Sequence, residues 1–247
     1  MLTFLEGLER PMRLTLEVAI ESVDDALASV GGGADRLELC AALDLGGLTP
    51  SLGTAQEVMD AVRVPVMVMI RPRGGDFVYS PHELAAMERD IRHFLPFRPA
   101  GFVFGVLTPE ATVHQDACRA LLKAAGSVPC TFHRAFDRTF DNRQSLEEII
   151  ALGFTRVLSS GRADTALAGA ENLTKLIHLA EDRIIVIPCG RVRALNVGEI
   201  VRLTKCREVH GSFAEPIPAN NDIGRQGYII RSRTSREAVA LCRSILS

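Results

Sequence analysis

The chain has 247 residues, 47% of them hydrophobic and 23% charged, with a formal net charge of −2. That length and apolar content supply a sizeable core, in one α/β barrel or in two smaller domains. The near-neutral charge gives no basic footprint for nucleic acid, and an aromatic content of 5% without tryptophan leaves little surface for base stacking.

Residues 1–13 read as an irregular N-terminal arm that ends at Pro11–Arg13. Leu14 to Ile20 alternates apolar and polar residues as a strand does, with Glu17 in its middle. Ser22 has the chemistry of an N-cap for the helix VDDALASV, which stops at Gly31-Gly32-Gly33. Arg36 to Cys40 is a second strand, and Ser51 caps a second helix, LGTAQEVMDAV. Val64 to Ile70 is an apolar run of the kind that a parallel sheet buries on both faces. It breaks into Arg71, Pro72, Arg73, Gly74, Gly75 and Asp76, and Pro81 then suits the first turn of a helix through His93.

Gly101 to Leu107 and Val128 to His133 are the fourth and fifth strands, with helices over Gln115–Ala125 and Ser145–Ala151. Thr155 to Ser159 and Arg183 to Ile187 follow, with helices over Leu173–Ala180 and Val197–Leu203. Arg207 to His210 is a short eighth strand. A long polar stretch, Gly211 to Arg233, leads to a last helix over Ser235–Leu246 and has the length and polarity of a functional or mobile loop. Eight β/α units at about thirty residues each predict a single-domain (β/α)8 TIM barrel spanning residues 1–247, with a doubly wound open sheet as the alternative.

No apolar run reaches the roughly eighteen residues of a membrane span, and Glu6, Glu9 and Arg10 interrupt what would be the apolar core of a signal peptide. The six cysteines at positions 40, 118, 130, 189, 206 and 242 form no CxxC pair, which suits reduced, buried thiols in a cytoplasmic protein.

In a barrel of this kind the chemistry collects at the carboxyl ends of the strands. The polar residues expected there are Glu17, Glu38, Cys40, Arg71, His133, Arg134, Asp137, Ser159, Ser160 and His210. Arg71 and Arg73, with flexible glycines behind them and Asp76 beside them, have the planar guanidinium forks that hold a phosphate or carboxylate. Pairing of those arginines with local acids is the structural alternative. Glu17, Glu38, His133 and His210 are candidate acid–base groups, and each could also be a hydrogen-bonded core residue. Ser159-Ser160-Gly161 could add hydroxyl and backbone donors for a phosphate, or simply open a helix. Converging on one mouth, this inventory suits proton transfer near a carbonyl on a phosphorylated small molecule. A preformed zinc site has no HxxxH, HxH or CxxC spacing to support it. Soft Cu(I) would need thiolate and thioether ligands, for which Cys40, Met67, Met69 and Cys189 are the candidates; methionines at strand spacing also serve as barrel core.

Several longer motifs carry a resemblance. GGADRLELC (Gly32–Cys40), GGLTPSLG (Gly46–Gly53), IRPRGGDFVYS (Ile70–Ser80), TFHRAFD (Thr131–Asp137), RVLSSG (Arg156–Gly161) and EVH (Glu208–His210) resemble the CutC copper-homeostasis protein family over about residues 14–212. The resemblance implies a TIM barrel, often dimeric, with a role in copper handling and Cu(I) held by cysteines near the ends of the first strands. By position the family's cysteine in the second strand is Cys40. Some members carry another in the first strand, where this chain has Ala19, and PCGRV (Pro188–Val192) stands where relatives have a glycine-rich turn. The two functions expected are therefore copper handling through Cys40 and, as the alternative, an enzyme acting on a phosphate- or carboxylate-bearing small molecule through acid–base chemistry.

Overall fold

The structure, a computed structural model, describes residues 14–217 and 232–247. The arm expected at residues 1–13 and most of the expected 211–233 loop lie outside the described residues. Eight parallel strands carry the fold. They are β1 (Thr15–Ile20), β2 (Arg36–Leu39), β3 (Val66–Met69), β4 (Gly101–Phe104), β5 (Cys130–Phe132), β6 (Arg156–Ser159), β7 (Ile185–Pro188) and β8 (Glu208–Gly211). They pair in the order β7-β6-β5-β4-β3-β2-β1-β8. The two ends of that order, β7 and β8, lie side by side and bring the ring nearly to closure. The expected barrel is what forms, and the open sheet is not.

Helices follow the strands: α1 (Val23–Gly31), α2 (Leu52–Ala61), α3 (Pro81–Phe94), α4 (Gln115–Ala125), α5 (Asn142–Leu152), α6 (Ala170–Ala180), α7 (Ala194–Thr204) and α8 (Arg236–Ile245). Their starts are chemically marked. Ser22, Ser51 and Ser235 each accept a backbone N–H of the first turn, and Ser80 forms a capping box with Glu83 just ahead of Pro81. The helix expected over Ser145–Ala151 begins earlier, because Asp141 accepts the backbone N–H groups of Arg143 and Gln144. Short strands β9 (Ala214–Pro216) and β10 (Ser232–Thr234) pair antiparallel at the two ends of the stretch expected to be loop.

Strand alternation divides the core in two. Leu37, Leu39, Val66, Val68, Phe102, Phe104 and Val157 point outward to the helices, in one large apolar cluster. The residues of opposite parity (Cys40, Met67, Met69, Val103, Leu158, Ile187 and Cys189) form a smaller cluster inside the ring. The inner cluster is incomplete on one side, where β1, β2, β6 and β8 turn charged side chains inward instead.

Candidate functional site

Register brings these charges together. On β1, Glu17 stands between Arg36 of β2 and His210 of β8, and one step further along, Ala19 stands beside Glu38. Near the amino-terminal end of the ring, Arg36 donates to both Glu17 and Glu208. Arg156 reaches Glu208 as well, Nε to Oε2 at 3.1 Å. Two carboxylates and two guanidiniums thus balance one another in a buried network. The partner of Glu17 is Arg36, which shares the inward face with Glu38 at a spacing of two.

Above that network lies His210. Its Nδ1 is 2.8 Å from Glu17 Oε1 and its Nε2 is 3.6 Å from Glu38 Oε2. Although burial opposes a charged imidazole, the flanking carboxylates of Glu38 and Glu17 raise its pKa. Glu17 is also buried, but Arg36 and His210 hold it down to about 2. Glu38 moves upward because burial is reinforced by the neighbouring Glu17. The other oxygen of Glu38, Oε1, is buried and has no hydrogen-bond partner among the described residues.

Glu38 and His210 floor a cavity of about 290 Å³ at the carboxyl ends of the strands. His133, at the end of β5, forms part of its wall and is 4% exposed. Its Nδ1 accepts the backbone N–H of Ala135 at 3.3 Å, which leaves the ring proton on Nε2. That Nε2 is buried and unpartnered among the described residues. Burial and the nearby Arg71 push His133 down to about 3, so it is a neutral imidazole. Gly105 makes room for the ring, since a Cβ there would sit 2.7 Å from Nδ1. Phe77 packs at a centroid distance of 4.8 Å.

A second wall is sulfur. Met69 and Cys189 line the cavity, and Cys40 lies in the same inner cluster. The Cys40 thiol donates to Glu38 Oε2 at 3.6 Å. Gly47, at φ +84, leaves the space that Cys40 Sγ and the Met69 methyl fill; a Cβ there would stand 3.1 and 3.4 Å from them. Burial pushes both thiols upward, with Glu38 adding to the effect on Cys40. They stay protonated unless a cation replaces the proton. The donor sets differ in kind. Thiols and a thioether suit Cu(I), whereas Glu17, Glu38 and His210, with ligand atoms within 4.8 Å of one another, suit a harder ion.

Other expected site residues are drawn elsewhere. Arg71 is 4% exposed and is absent from the cavity wall. Its Nη1 donates to the carbonyls of Leu45 (2.8 Å) and Gly47 (3.2 Å) and its Nη2 to that of Gly75 (2.9 Å). It staples the loops after β2 and β3 and stacks 4.8 Å from the Phe77 ring centre, and its Nε has no partner among the described residues. Arg73 pairs with Glu83 at 2.6 Å and with Asp76 at 3.0 Å, the local pairing that was its structural alternative. The cradle expected at Ser159-Ser160-Gly161 exists, but Asp137 fills it: its carboxylate accepts from Ser159 Oγ at 2.6 Å and from the Ser160 N–H at 2.9 Å.

Arg134 does reach the cavity, held by Ser160 Oγ at 2.9 Å and Asp137 at 3.4 Å. Beside it stand Arg191 and Arg193, which the sequence reading did not single out. Arg193 Nη1 donates to the Val192 carbonyl. The Arg191 guanidinium makes no ion pair among the described residues. Both follow β7; Arg191 lies in the five-residue motif already noted as unusual and Arg193 directly after it, so that departure was the available signal.

The CutC family model matches residues 14–215. A CutC family protein of Xanthomonas campestris pv. campestris (strain 8004) is 45% identical over 83% of this chain and 85% of its own length. The copper homeostasis protein cutC homolog of Homo sapiens is 43% identical over 80% of this chain and 72% of its own. Among solved structures, CutC of Streptococcus agalactiae superposes with a TM-score of 0.77 at 33% identity, covering 81% of this chain and 98% of that one.

Proposed function

The chain belongs to the CutC copper-homeostasis family, and on that premise we propose that it handles copper by taking Cu(I) as cargo on the sulfur wall of the barrel mouth. Cys40, Cys189 and Met69 would be the ligands. One observation carries this reading: in a chain with Ala19 on the first strand, a second buried thiol, Cys189, shares an inner cluster with Cys40 and Met69. Copper entry would expel thiol protons, and Glu38, 3.6 Å from Cys40 Sγ, is positioned to receive one. All six cysteines are free and buried, which supports a reducing compartment such as the cytoplasm. No helix among the described residues is long and apolar enough to cross a membrane. The homodimer implied by the family resemblance belongs to the same reading and is checked by light scattering.

The test is a Cu(I) competition titration of the reduced protein beside Cys40→Ser and Cys189→Ser. One tightly held equivalent in the parent, weakened at least tenfold in each variant, is expected. Equal affinity in all three proteins would refute the sulfur site.

A second reading rests on the opposite wall. Cu(I) needs neither the orphaned carboxylate oxygen of Glu38 nor three rim arginines. These favour an enzyme that acts by acid–base chemistry on an anionic small molecule, with Arg134, Arg191 and Arg193 at the anion. Binding of inorganic phosphate by the parent, lost in Arg191→Ala, is the expected result; equal binding by both would remove the rim from the account.

A further inference from the structure

Two polar atoms in the mouth are buried, belong to cavity-lining residues and have no partner among the described residues: Glu38 Oε1 and His133 Nε2. Leaving such atoms buried and unpaired is costly, a penalty that a bound ligand would remove. Their chemistry is complementary. Glu38 offers an acceptor and proton base, while His133, with its Nδ1 committed to the Ala135 N–H, offers a fixed N–H donor. His210 lies behind Glu38, its Nε2 3.6 Å from Oε2, and leaves Oε1 turned to another partner. Phe77 and Leu158 supply apolar cover, and the arginines of the rim stand outside. A volume of about 290 Å³ holds a small metabolite and no polymer.

Building on the second reading above, we propose that this mouth enolises a small hydroxy-carbonyl compound bearing a phosphate or carboxylate, with Glu38 as base and His133 as donor to the carbonyl oxygen. Glu38 Oε1 takes the proton from the carbon next to the carbonyl. That C–H pair becomes the C=C bond of the enediolate, and the carbonyl π pair moves onto oxygen. His133 Nε2–H stabilises the oxygen as its charge grows, as a neutral imidazole can do without leaving a free acid in the site. Glu38 then returns a proton to the same carbon, giving back the substrate with that hydrogen exchanged against solvent. No electron enters or leaves, so no redox partner is required. His210 and Glu17 act through Glu38 as positioning residues; Arg191 and Arg193 meet the anion.

The experiment incubates the full-length protein in D2O with a panel of C3–C6 aldose and ketose phosphates and the corresponding sugar acids. Proton NMR follows C–H to C–D exchange, and ligand line broadening follows binding. The expected result is exchange above the buffer rate for at least one compound. Glu38→Gln should slow it about 10³-fold with binding within a few-fold of the parent. His133→Gln should slow it about 10²-fold without changing KM, and Arg191→Ala should raise KM about tenfold. Glu38→Asp, which keeps the carboxylate at a shorter reach, should recover part of the exchange and so separates chemistry from misfolding. Binding that depends on Arg191 without exchange would overturn the enolisation while leaving the anion-site reading intact. No binding by any member of the panel would overturn both, and exchange indifferent to Glu38 would overturn the assigned roles.

Discussion

The two ends of the barrel interior treat buried charge in opposite ways. At the amino-terminal end, Glu17, Glu208, Arg36 and Arg156 satisfy one another directly, two acids against two bases. At the carboxyl end, Glu38 and His133 each keep a buried polar atom without a partner among the described residues, and Cys40 and Cys189 keep buried thiols. A closed network can only be disrupted, because nothing further can bind to it. Open valences are poised to accept a ligand. The lower ring therefore serves as structure and the upper ring offers the candidate site, with Glu17 joined to both through its bonds to Arg36 and His210.

That contrast is breakable, and the largest effect should come from the lower ring. Arg36→Ala strips the shared partner from two buried carboxylates and should cost about 3–5 kcal/mol in urea unfolding. A loss below about 1 kcal/mol would mean that the network is not what holds those charges.

Acid should act next. Glu17 is depressed to about 2, so its contribution is present above its ordinary 4.5 and is lost as pH falls toward 2. His133 is depressed to about 3 from 6.5, so the unfolded chain binds its proton first, and stability declines as pH falls from 6.5 to 3. Both act in one direction. His133→Gln should flatten the upper part of that decline, between pH 6.5 and about 4.5, and leave the part below it; an unchanged slope would contradict a buried neutral His133.

Smaller effects sharpen the upper ring. Glu38→Gln should shift stability by less than about 1.5 kcal/mol in either direction, since it trades an unpaired oxygen for an amide while weakening the contact with His210. A loss comparable to that of Arg36→Ala would make Glu38 a member of the structural network. Arg73→Ala, which removes two partly exposed ion pairs, should cost at most about 1 kcal/mol and leave metal and anion binding unchanged.

Much of this could be read from the sequence, for definite reasons. Strand runs such as Val64–Ile70, with caps at Ser22 and Ser51 and a first-turn proline at Pro81, are local signals, and the barrel follows from counting them. The inward placement of Glu38 with Cys40 was equally local, and applying period two to Arg36 as well would have exposed the partner of Glu17. What could not be read depended on distance in the chain. Arg71 lies beside its glycines in sequence, yet in space its Nη1 is taken by Leu45 and Gly47, carbonyls of another loop. Ser159 and Ser160 form a fitting anion cradle, and only the fold brings Asp137 into it. Arg191 and Arg193 reach the mouth because β7 ends beneath it, which a list of strand-end residues stopping at Cys189 does not capture.

The division of the mouth into a sulfur wall and an acid–base wall is tested most directly by X-ray absorption at the copper K-edge on the reduced protein loaded with one equivalent of Cu(I). The account predicts a first shell of sulfur alone, from Cys40, Cys189 and Met69, with the carboxylate–imidazole pair left free. A shell of nitrogen and oxygen, unchanged in Cys40→Ser, would contradict it and move the copper to Glu38 and His210.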